Sequence, residues 1–204
     1  ARDSGVSKVF MPNIDDTTVE AMLNVCTAYK GYCFPMIGFH PTSVGADSLF
    51  RIYEMKKLLS GEHPFVAVGE VGMDLYWDKT YLKEQQKALD IQIQWALEYH
   101  LPLVLHCREA FPELFEVMEP YKKTELSGIF HSFTGTLEEA GQVLEYARFF
   151  FGINGVVTFK KSSLAEVLPH IPLGRIVLET DSPYLAPVPF RGKRNESSYI
   201  KNVC

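Results

Sequence analysis

Short apolar runs recur along the chain, and most are separated by polar stretches of helical spacing. The runs predict strands over residues 9–13, 34–39, 65–70, 103–106, 128–131, 149–153 and 176–179. Between them, residues 17–29 carry Val19, Met22, Leu23 and Cys26 at helical intervals. Residues 82–99 give a long amphipathic pattern marked by Leu82, Ala88, Leu89, Gln92, Ala96 and Tyr99. Further helices are expected over 47–60, 111–121, 137–146 and 163–169. Strands that alternate with helices build a parallel sheet. Near-continuous apolar strands fit a sheet covered on both faces. A closed (β/α)8 barrel needs eight strands and typically about 250 residues. An open doubly wound sheet accepts seven, so the hydrophobic pattern alone leaves both architectures open.

The polar positions are more selective. The apolar runs end, one after another, in Ile37-Gly38-Phe39-His40, Val68-Gly69-Glu70, Leu105-His106, Phe130-His131, Ile153-Asn154 and Leu178-Glu179-Thr180-Asp181. In a parallel barrel the C-terminal strand ends converge on one face, where the chemistry occurs. Glu70, His106, His131 and Asp181 are all of metal-ligand type, and imidazole with carboxylate suits divalent ions such as Zn²⁺ and Mn²⁺. One ligand per strand is the spacing of a site assembled at a barrel mouth, unlike the close pairs of a zinc finger. Each residue has an ordinary role open to it. A histidine at a strand end is often a hydrogen-bonded surface group, and Asp181 before Ser-Pro can be a turn residue. Four matching coincidences at matching strand ends favour a metal site. Strand alternation places Val104, His106 and Arg108 on one side and Leu103, Leu105 and Cys107 on the other.

Composition narrows the partners. The chain has 204 residues with 47% hydrophobic and 22% charged content and a net charge of −5. Nucleic-acid binding through bulk positive charge is therefore excluded, and any phosphate contact must be local or metal-assisted. No apolar run approaches the ~18 residues of a membrane helix. Cys26, Cys33, Cys107 and Cys204 form no Cys-x-x-Cys pair. They read as reduced thiols of a cytoplasmic protein.

The stretches Gly38-Phe39-His40-Pro41, Gly69-Glu70-Val71-Gly72-Met73-Asp74, Leu105-His106-Cys107-Arg108-Glu109, Phe130-His131-Ser132-Phe133-Thr134-Gly135, Leu178-Glu179-Thr180-Asp181-Ser182-Pro183-Tyr184-Leu185 and Arg191-Gly192-Lys193-Arg194-Asn195-Glu196 together resemble the TatD family of metal-dependent hydrolases. The resemblance runs in order over essentially the whole chain. It implies one TIM-type (β/α)8 barrel domain over residues 1–204, with two divalent metal ions (Mg, Mn or Zn) and hydrolysis of phosphodiester bonds in DNA. It implies that Glu70 bridges two metals and that His106 and His131 bind the second. Asp181 then binds the first metal and acts as general base.

The chain departs from the family in lacking a His-x-His pair, which an additional first strand carries in family members. The expectation is a barrel lacking that strand and the C-terminal helix, open between residues 9–13 and 176–179, with no obligate protein partner. His40, Arg108, Tyr184, Arg191 and Arg194 are candidate substrate contacts, together with Lys193. Tyr76, Trp77 and Tyr184 follow strand ends and are able either to stack on bases or to pack as lids. Two alternatives keep the same residues: hydrolysis of another ester, such as a D-aminoacyl-tRNA, and an inactive barrel that serves as a binding protein.

Overall fold

A computed structural model describes every residue from Ala1 to Cys204. The chain forms two compact bodies, one of Lys8–Gly128 and one of Ala1–Ser7 with Ile129–Cys204.

In the first body, β1 (Val9–Pro12) pairs in parallel with β2 (Cys33–Met36), with Val9 opposite Cys33 and Pro12 opposite Met36. The crossover between them is α1 (Val19–Ala28), which buries Val19, Met22 and Cys26 at the predicted helical interval. A turn over Asp16–Thr18 leads into α1, and Asp15 caps it by accepting from Thr17 N. After α2 (Ser48–Lys56), β3 (Val68–Asp74) and β4 (Leu103–Arg108) form a second parallel pair, joined by α3 (Leu82–Glu98). A single bridge from Ile37 to Val68 ties the end of β2 to β3. All seven residues of β3 are buried, whereas β4 alternates, with Leu103, Leu105 and Cys107 inside as the strand parity predicts.

Two predicted strand ends need correction: the strand expected to run to Phe39 stops at Met36, which leaves His40 in the turn beyond it. The strand expected to end at Glu70 continues to Asp74, so Glu70 lies within β3. Gly69 pairs with Val104 and Val71 with Leu105, which leaves Glu70 as the additional residue of a β-bulge. A bulge bends the strand and re-aims a side chain. Gly72 then passes close to the His106 carbonyl at φ +142°, a conformation and an approach that admit no Cβ.

The second body holds β5 (Gly128–Phe130), whose first residue is the last of the other body, then β6 (Phe149–Ile153) and β7 (Ile176–Leu178), in that order in one sheet. β6 and β7 are parallel, with Phe151 opposite Ile176 and Ile153 opposite Leu178. Before β6 comes α5 (Leu137–Leu144), whose start is fixed by a capping box between Thr136 and Glu139. The short α6 (Leu164–Val167) follows β6. Edge-to-face aromatic pairs fill the core: Phe130 meets Phe149 at 5.5 Å and Phe133 meets Phe151 at 5.0 Å between ring centroids. Seven strands form in all, as the apolar pattern predicts; β1 pairs only with β2, and β7 only with β6.

Candidate metal centre

In the first body the β-bulge, the end of β2 and the middle of β4 bring three predicted residues together. His40 follows β2 in a turn whose Pro41 fixes the backbone direction. Thr42 holds His40 Nδ1 through its backbone N–H at 3.2 Å and its hydroxyl at 2.7 Å. The other ring nitrogen, Nε2, faces Glu70 Oε1 at 3.6 Å. His106 meets the same Glu70 oxygen through Nδ1 at 3.0 Å, and the two imidazole rings lie 4.5 Å apart. Possible ligand atoms of His40, Glu70 and His106 all fall within 4.8 Å of one another.

Asp74, at the end of β3, completes the cluster and was not singled out by the sequence reading. Its Oδ2 lies 2.8 Å from His106 Nε2. His106 is thus clasped by two carboxylates. Burial alone would lower the pKa of its imidazole, but the hydrogen bonds and charges of Asp74 and Glu70 outweigh that and push it up to about 9. Burial works to raise the Asp74 carboxyl, yet His106 and the backbone N–H groups of Tyr76 and Trp77 hold it below the usual carboxylate range. Two acidic groups therefore converge on a positive charge. The two imidazoles of His40 and His106 and the Glu70 carboxylate also fit a divalent first-row metal, with Asp74 on the other ring nitrogen of His106 and Thr42 on His40 orienting the ligands as outer-shell partners do.

Helix α3 holds this cluster from behind with two buried amides. Gln85 Oε1 accepts from Asp74 N at 2.9 Å, and its Nε2 donates to Asp74 O at 3.0 Å. Seven residues on, which is two helical turns, Gln92 Oε1 accepts from Phe39 N at 2.6 Å, and its Nε2 donates to Phe39 O at 3.3 Å. Each glutamine behaves like one more peptide of the sheet. Together they fix the backbone that presents Asp74 and His40.

The second body gathers His131 and Asp181 with Glu179. His131 follows β5, and its Nε2 lies 3.2 Å from Asp181 Oδ1. Its Nδ1 lies 2.9 Å from Glu179 Oε2. Glu179 also accepts from Ser132 N at 2.5 Å. The Glu179 carboxylate covers Gly152, where any side chain would strike it. Glu179 thus holds the His131 ring on the nitrogen opposite Asp181, a contact that the sequence reading did not single out.

The predicted substrate contacts are dispersed. Arg108 lies on the Tyr76 ring, with its guanidinium carbon 3.6 Å from the centroid. Arg191 lies on Phe159 in the same way, also at 3.6 Å. Tyr184 is 71% exposed. Arg194 lines a cavity of about 490 Å³ with Ser182, Pro183 and Asn195. Lys193 N donates to Phe190 O at 3.0 Å, closing a turn.

Residues 1–204, the entire chain, match the family of TatD-related DNases. The chain belongs to the TatD family. It is 34% identical over 204 residues to the uncharacterized metal-dependent hydrolase YabD of Bacillus subtilis, covering all of this chain and 79% of the relative. It is 32% identical over 215 residues to the 3'-5' ssDNA/RNA exonuclease TatD of Pantoea ananatis, covering all of this chain and 80% of that protein. Against the Escherichia coli relative YcfH, 34% identical over 167 residues, it spans 62% of the length. The crystal structure of the TatD homolog YJJV from Escherichia coli superposes with a TM-score of 0.87 at 26% identity, covering all of this chain and 78% of the other. The architecture is thus the TIM-type barrel of the metal-dependent hydrolases, with seven of its strands in this chain. The TatD-family protein is a hydrolase of the metal-dependent class. No helix is long and apolar enough to cross a membrane.

Proposed function

We propose that this TatD-family protein is a deoxyribonuclease that hydrolyses phosphodiester bonds with the help of two divalent metal ions. The observation that carries the reading is the cluster of His40, Glu70 and His106, three potential ligands brought within 4.8 Å of one another, with Asp74 holding the other ring nitrogen of His106. The P. ananatis relative's name, an exonuclease for single-stranded DNA and RNA, supports nucleic acid as the substrate class.

Glu70, His106, His131 and Asp181 are the proposed ligand residues, and the first cluster adds His40 as a further donor, with Asp74 orienting His106. Divalent cations held by these residues would supply Lewis acidity to a phosphoryl oxygen and would favour ionisation of the attacking water. Asp181 takes the proton of the attacking water on a carboxylate oxygen. His131, 3.2 Å away, fixes the direction of that carboxylate, and Glu179 fixes His131. The water oxygen bonds to phosphorus while the P–O bond to the departing sugar oxygen breaks, and that oxygen takes up the proton that Asp181 received, which returns Asp181 to its carboxylate form. Because the chain is net acidic, phosphate affinity is left to local cations such as Arg108, Arg191 and Arg194.

A labelled single-stranded oligonucleotide incubated with the protein in Mg²⁺ or Mn²⁺ tests the reading. Cleavage is expected, and a chelator should stop it. Asp181→Asn should slow turnover by about 10² or more, the usual contribution of a general base. Intact DNA after incubation with metal-loaded protein overturns the nuclease assignment.

A further inference from the structure

Beyond the cluster, the loop after β3 carries Tyr76 and Trp77, 46% and 71% exposed. Burying a large side chain of this kind normally stabilises a fold, yet this indole stands in solvent on a well-anchored base. Tyr76 N donates to Asp74 Oδ1 at 3.1 Å, and Leu75 N donates to Arg108 O at 3.0 Å. Thr80 N donates to Asp78 Oδ1 at 2.8 Å, closing the far side of the loop. The two rings meet edge to face, 4.8 Å apart at 88°. The Arg108 guanidinium covers one face of Tyr76 and lies 5.4 Å from the Trp77 centroid. Tyr76 and Arg108 therefore hold Trp77 in place, and the indole itself remains open.

Position gives the arrangement its meaning. Trp77 is three residues beyond Asp74, and Arg108 is two residues beyond His106 on the same side of β4. An aromatic face and a guanidinium thus stand together at the edge of the candidate metal cluster. Such a pair matches a nucleotide, whose base is a flat π-system and whose phosphate is an anion. Base stacking on an aromatic side chain is tolerant of sequence, and arginine reaches backbone phosphate without reading the base.

We propose that Trp77 is the stacking platform for a nucleobase of single-stranded nucleic acid next to the scissile phosphate, with Arg108 on a flanking phosphate. This rests on the nuclease reading for its substrate class, but its test does not depend on cleavage. The protein has two tryptophans, and Trp95 is 1% exposed, so a ligand-dependent change in indole emission reports on Trp77.

The experiment titrates the protein, in chelator, with a single-stranded thymidine oligonucleotide and with an abasic strand of equal length. Quenching by the first and little by the second is expected. Trp77→Ala should weaken binding of the thymidine strand roughly 5- to 100-fold, the range of base-stacking losses, while Trp77→Phe should retain most of the affinity. Equal quenching by the abasic strand, or unchanged affinity in Trp77→Ala, overturns the platform. Base-dependent quenching without cleavage in Mn²⁺ would sink the nuclease reading and sustain the platform. Cleavage without base-dependent quenching would do the reverse.

Discussion

His106 carries the clearest electrostatic signature in the protein. Its imidazole, clasped by Asp74 and Glu70, is raised to about 9 from an ordinary value of 6.5. In the cation-free state this raised pKa contributes stability that is fully present below pH 6.5 and is lost as pH rises through about 9. A metal binds only the neutral ring, so binding must displace a proton across that window. The apparent affinity for Mn²⁺ should therefore climb with pH up to about 9 and then level off. Titration calorimetry in buffers of different ionisation enthalpy measures the proton released. In Asp74→Asn the imidazole resonance of His106 should titrate at a lower pH, because the largest favourable contact is gone; an unmoved midpoint would contradict the clasp.

At the level of elements, the site depends on one bulge and one helix face. The bulge at Glu70 requires Gly72, because a Cβ there would strike the His106 carbonyl of the neighbouring strand. Gly72→Ala should lose about 3 kcal/mol or more of folding stability in urea unfolding, from backbone strain and overpacking together. Helix α3 acts through Gln85 and Gln92. Gln92→Ala leaves the Phe39 N–H without its acceptor, and a buried donor stripped of its partner costs about 1–3 kcal/mol. Chemical denaturation should show that loss, while far-UV circular dichroism should change little. Substitution of Gln94, which bonds Asp90 and Tyr121 on the exposed face, should stay within about 0.5 kcal/mol.

For the molecule as a whole, metal binding and stability should be linked. A ligand that binds only the folded state at a concentration 100 times its Kd adds about 2.7 kcal/mol. For a chain of this length that corresponds to a rise in Tm of about 5–10 °C. Scanning calorimetry with saturating Mn²⁺ should show it, and Glu70→Ala should abolish most of it. A full shift in Glu70→Ala would remove that carboxylate from the ligand set.

Much of this was legible in the amino-acid order. The alternation of apolar runs with helical spacing specifies seven strands and their crossovers, because burial on both faces of a parallel sheet leaves a continuous apolar signature. Motifs at strand ends mark His40, Glu70, His106, His131 and Asp181, since the donor types are visible in single residues. The tertiary structure decided what those residues touch. Asp74 was hidden because its partner, His106, lies 32 residues away and meets it only through strand register. The β3 boundary was misplaced because a bulge adds one residue to one strand and leaves no mark in the periodicity. Gln92 stood out as part of a helix face, but its bond to Phe39, 53 residues distant, exists only once the helix packs. Residue chemistry and local periodicity are properties of the chain; pairings between distant strands are properties of the packed core.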